Sequence, residues 1–72
     1  MKTEDLILNY IKEYIVEHQY PPSYQEICWG TGVKSKQTVH RYIRILIDIG
    51  RLETDESGNA RALRVPGLLK TI

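Results

Sequence analysis

Residues 21–26 read Pro-Pro-Ser-Tyr-Gln-Glu, and no other stretch restricts the fold as much. Proline drives the residue before it out of helical geometry, so a helix running into Tyr20-Pro21-Pro22 has to stop there. Ser23 and Glu26 then stand three apart, the spacing of a capping box. The serine hydroxyl takes the amide of Glu26, and the carboxylate reaches back to the amide of Ser23. A new helix therefore starts at Tyr24. The chain is divided into a helix before the prolines and a helix after them, and the fold has to pack one against the other.

The first segment supplies its half of that packing. Leu6, Ile7, Tyr10, Ile11, Tyr14 and Ile15 recur at i, i+4 and i+8 with their neighbours, a broad apolar stripe on an amphipathic helix. Thr3 reads as its N-cap, with Glu4 and Asp5 in a first turn where acidic groups suit the helix dipole. The helix from Tyr24 carries Ile27 and Cys28 inward and ends near Gly30-Thr31-Gly32. Gly32 accommodates the left-handed conformation that a tight turn needs. Val33 anchors the turn. Ser35 caps a third helix, predicted from about Lys36 to Ile49, with Val39, Ile43 and Leu46 on its inner side and Gly50 closing it. Two helices joined by a short glycine-containing turn form the helix-turn-helix pattern.

Beyond Gly50 the period changes. Arg51-Leu52-Glu53-Thr54 and Ala62-Leu63-Arg64-Val65 read as short strands, with Ser57-Gly58-Asn59 supplying turn chemistry between them. The expected fold is mainly α with a small β-hairpin, a three-helix winged helix-turn-helix over residues 1–66. Residues 67–72 read as a C-terminal tail or the start of a linker. Seventy-two residues suit one domain of this kind.

Several function classes are disfavoured. No apolar run reaches the ~18 residues of a membrane span, and a single cysteine excludes an internal disulfide. A cytoplasmic, nucleoid-associated chain is the expectation. Two histidines and one cysteine give no metal-ligand spacing. Ser23, Ser35 and Ser57 each have a capping or turn role, and no glycine-rich phosphate loop is present. The chain is therefore expected to carry no catalytic residue, no metal and no cofactor, and not to be an enzyme. Cys28, beside Ile27, reads as a small buried residue.

The charge distribution points elsewhere. The formal net charge is only +1, but residues 34–51 hold Lys34, Lys36, Arg41, Arg44 and Arg51 against Asp48 alone. A local basic stripe attracts a polyanion. On the third helix this stripe lies opposite Val39, Ile43 and Leu46. A helix in the DNA major groove reads base edges with its N-terminal residues. Gln37 suits adenine, Lys36 and Arg41 suit guanine, His40 donates or accepts, and Thr38 suits a thymine methyl or a phosphate. Arg44, a turn further on, suits a phosphate. Lys34 stands at the helix N-terminus, where backbone amides also attract phosphate, and Arg61 in the wing is placed to reach the DNA backbone. Polar residues cover the outer face of nearly every surface helix, so this face alone does not decide the matter. Two other readings compete: a winged-helix protein-interaction module using Ile45, Ile47 and Trp29, and a targeting fragment of a larger protein.

The stretches YPPSYQEIC, GVKSKQTVHRYIRILIDIGRLE and NARALRV resemble the N-terminal DNA-binding domain of the LexA repressor family. Pro21, Pro22, Ser23, Glu26, Ile27, Gly32, Ser35, Leu46 and Gly50 fall on its pattern positions, and Thr38-Val39-His40 is similar to the third helix of its Gram-positive members. The resemblance implies a sequence-specific double-stranded DNA-binding regulator. It would act on inverted-repeat operators of the DNA-damage (SOS) response, as a homodimer on DNA, with base readers at Ser35, Gln37, His40 and Arg41. Gly30 and Thr31 stand where the family usually has a longer side chain and an apolar residue, which predicts a weaker end to the second helix. Full-length members also carry a self-cleavage domain with a serine–lysine pair. These residues do not supply it, so the expectation is a LexA-like repressor or regulator lacking that domain, either as an excised domain or as a stand-alone protein that kept only the reader.

Overall fold

The computed structural model describes residues 2–54 and 63–67. Three helices, α1 (Thr3–His18), α2 (Tyr24–Thr31) and α3 (Lys36–Asp48), precede two short strands, β1 (Glu53–Thr54) and β2 (Leu63–Arg64). The strands pair antiparallel, Glu53 opposite Arg64 and Thr54 opposite Leu63. The wing's connecting segment, with Ser57-Gly58-Asn59 and Arg61, lies outside the described residues, as do residues 68–72 of the expected tail.

All three helices and β2 contribute to one core. Ile7, Leu8, Ile11 and Ile15 come from α1, Ile27 and Cys28 from α2, and Val39, Ile43 and Leu46 from α3. Leu52 and Leu63 bring the base of the wing into the same cluster. The link is short because the Arg51 and Leu52 amides both donate to Leu46 O, at 2.8 and 3.2 Å, before β1 begins. Gly50 makes the turn at φ +82°, where a side chain would be strained. No helix among the described residues is long and apolar enough to cross a membrane.

The capping box forms as its spacing requires. Ser23 N–H donates to Glu26 Oε1 at 2.7 Å, and Glu26 N–H donates to Ser23 Oγ at 3.1 Å. The other carboxylate oxygen accepts the Tyr14 hydroxyl at 3.1 Å, which ties α1 to the start of α2. The first helix departs from expectation at both ends. Its N-cap is Lys2, with no side-chain cap bond, and Thr3 is already helical. At the other end it stops at His18, and Gln19 takes the left-handed conformation at φ 69°. Tyr20 has to be extended ahead of Pro21, so the reversal falls on Gln19, whose amide caps Ile15 O at 2.7 Å and whose side-chain amide donates to Val16 O at 3.0 Å.

The second helix ends at the expected Gly30-Thr31-Gly32 turn. The helix runs through Gly30 and Thr31. The Tyr10 ring stands where a Cβ on Gly30 would be, so the missing side chain makes room for α1. Thr31 Oγ1 donates to Ile27 O at 2.7 Å and accepts from Val33 N–H at 3.3 Å, holding the last turn. Gly32, at φ +81°, then closes the helix with its amide on Cys28 O.

Candidate nucleic-acid interface

The candidate surface is the outer side of α3, and the turn before it sets its geometry. Ser35 is extended and caps the helix, its Oγ accepting the Gln37 amide at 3.1 Å and the Thr38 amide at 3.4 Å. Val39, Ile43 and Leu46 are buried, so the helix cannot rotate about its axis without exposing them. That burial turns Lys36, His40 and Arg44, spaced i, i+4 and i+8, to solvent with Gln37 and Arg41 alongside. All five are exposed, as is Lys34 in the turn. Thr38 and Ser35 are half-buried at the edge of this face. The structure thus brings together eight of the nine expected site residues; the ninth, Arg61, lies outside the described residues.

The electrostatics favour an anion. No acidic residue occupies the first turn of α3, and helix N-termini carry partial positive charge. Among the described residues no carboxylate pairs with Lys34, Lys36, Arg41 or Arg44; the ion pairs Glu17–His18 and Glu53–Arg64 lie on α1 and the wing. These cations remain available to an external partner.

One contact was not foreseen from the sequence. The ring of Tyr24, the first residue of α2, meets the ring of His40 edge-on, with centroids 5.5 Å apart and planes inclined at 65°. Tyr24 is half-buried against the core. Burial raises its phenol pKa above the ordinary value, so the ring is neutral at physiological pH. Nothing in its sequence neighbourhood marks this role, since Tyr24 and His40 meet only through the crossing of α2 and α3.

The residues foreseen as exposed apolar contacts separate. Trp29 is 75% exposed and Ile45 is at the margin, while Ile47 is partly buried against the core.

The model of the LexA DNA binding domain matches residues 2–62, all three helices and the wing up to β2. The chain belongs to this family. It is a winged helix-turn-helix DNA-binding domain, and α3 is the second helix of its helix-turn-helix. The LexA repressor of Ruminiclostridium cellulolyticum is 44% identical over 59 residues, covering 82% of this chain and 27% of that protein. The LexA repressor of Limosilactobacillus reuteri is also 44% identical over 59 residues, covering 82% and 28%. That of Moorella thermoacetica is 38% identical over 60 residues, covering 83% and 29%. The chain therefore spans under a third of the length of these relatives.

Proposed function

We propose that this LexA-type domain binds double-stranded DNA sequence-specifically and serves a transcriptional repressor, with α3 in the major groove. The observation that carries this reading is the exposed basic face of α3, whose cations are unpaired among the described residues and which stands on a rigidly packed inner stripe. Ser35, Lys36, Gln37, Thr38, His40 and Arg41 read base edges. Lys34 and Arg44 contact phosphates, and Arg61 does so from the wing. Two copies on an inverted repeat would read two half-sites, as expected of an operator in a DNA-damage response.

Base and phosphate contacts are separable by substitution. Arg41→Ala is expected to lower discrimination at one base pair by ~1–3 kcal/mol. Lys34→Ala is expected to weaken all duplexes alike and to reduce the log–log salt slope by about 0.9. Binding competition among duplexes at two salt concentrations measures both. If Arg41→Ala leaves discrimination intact at every position, Arg41 does not read bases. The exposed Trp29 favours a second reading, a protein-interaction module. In that case partner affinity would change little with salt, whereas duplex affinity falls steeply.

A further inference from the structure

A ring contact joins the candidate base reader His40 on α3 to Tyr24 on α2. We propose that Tyr24 is a positioning residue for base readout, its ring holding the His40 imidazole in the orientation that meets a base edge. This inference rests on the reading of α3 as the base-reading helix.

The argument begins with what would fix His40 otherwise. The side chain is exposed on a helix surface, where an imidazole moves freely among its staggered χ1 rotamers. A reader that must be ordered at each encounter costs affinity and blurs discrimination, so preorganisation favours a neighbour that restricts it. Tyr24 is such a neighbour. Its backbone is fixed between the capping-box residues Ser23 and Glu26. Its ring is half-buried against the core and has little freedom of its own. Aromatic rings prefer an edge-on arrangement such as this one. The phenol is neutral, so it places no negative charge beside the groove. The capping box therefore does more than start α2: it sets the position of the ring that orients a reader on α3.

The test compares the intact chain with Tyr24→Phe, Tyr24→Leu, His40→Ala and the Tyr24→Leu/His40→Ala double variant. Preferred duplexes are first selected from a random pool with the unaltered chain. The Kd ratio between preferred and substituted base pairs is then measured at each half-site position, with affinity for a non-selected duplex and helix content by circular dichroism as controls. His40→Ala should flatten one position. Tyr24→Leu should lower the ratio at that same position by roughly 2- to 10-fold, the range expected of an aromatic pair, with both controls unchanged. Tyr24→Phe should retain the ratio, and the double variant should lose no more than His40→Ala.

Several results would overturn the proposal. If Tyr24→Leu preserves a ratio that His40→Ala flattens, Tyr24 does not position the reader, and the α3 reading survives. If Tyr24→Leu weakens every duplex equally, or Tyr24→Phe loses the ratio, ring contact is not what carries readout. If His40→Ala alters no position, His40 is not a reader and has nothing to be positioned for. If the unaltered chain selects no sequence at all, the reading of α3 falls together with this inference.

Discussion

Helices α2 and α3 both start on a serine, and the two starts are built for different ends. At α2, Ser23 and Glu26 satisfy each other's amides, and the second oxygen of Glu26 holds Tyr14 from α1. A carboxylate sits on the helix dipole, and the terminus is closed. At α3, Ser35 satisfies two amides but no acidic residue follows in the first turn, and Lys34 and Lys36 flank the cap. That terminus has its backbone ordered and its positive end left uncompensated. The same capping residue thus belongs to a closed start in one helix and to an open one in the next, where the proposed DNA backbone would meet it. What separates them is the third position after the serine, Glu26 in one case and Thr38 in the other.

Exchanging that position should have the largest effect. Thr38→Glu would give α3 the box that α2 has. Stability should hold or rise by about 0.5–1 kcal/mol, while duplex affinity falls on the order of 10- to 100-fold, because a carboxylate enters the face that meets the polyanion. Paired thermal melts and binding isotherms read the two effects, and a variant that binds duplex normally would show that the open terminus does not matter. Next comes Glu26→Ala, which removes the box and the Tyr14 bond together. It should cost about 1–2 kcal/mol of unfolding free energy in urea titration, and any loss of discrimination should be confined to the base pair that His40 reads. The serines themselves come third. Ser23→Ala and Ser35→Ala should each cost ~1 kcal/mol of stability, but only Ser35→Ala should also weaken duplex binding at temperatures where both variants are folded.

The smallest effect concerns Tyr10, on the packing side. Burial, and then the charges of Glu26 and Glu17, raise its phenol pKa above the ordinary value of 10.0. The folded state therefore keeps this proton where the unfolded chain has lost it. The contribution is complete below about pH 10 and is lost as pH rises beyond that value. Tyr10→Phe should make the decline in melting temperature above about pH 10 shallower.

How much of this was legible in the sequence depended on the reach of each interaction. The Ser23–Glu26 box, the Ser35 cap, the Gly32 turn and the stripes of α2 and α3 are short-range patterns, and each appears where its spacing puts it, whereas on α1 Leu6 is exposed and Leu8, outside the expected stripe, is buried. Basic residues opposite a buried stripe also placed the candidate face of α3. What escaped were contacts created by the crossing of helices. Tyr14 on Glu26, Tyr10 over Gly30 and Tyr24 on His40 join residues on different elements, and no spacing along the chain encodes them. Gly30 shows the consequence most clearly. Read alone it weakens a helix, whereas in the fold it admits a tyrosine from the neighbouring one. The start of α1 was misplaced for a local reason, since a threonine near a helix start is favoured as a cap but Thr3 makes no such bond here.

The most direct test of the central claim, that the outer face of α3 reads base edges, is selection of bound duplexes from a random pool at moderate salt, run in parallel with the unaltered chain and Arg41→Ala. The account predicts an enriched half-site for the unaltered chain, present as an inverted repeat, with one base-pair preference erased by Arg41→Ala. Binding without enrichment, lost uniformly as salt rises, would contradict it by reducing α3 to a non-specific phosphate contact.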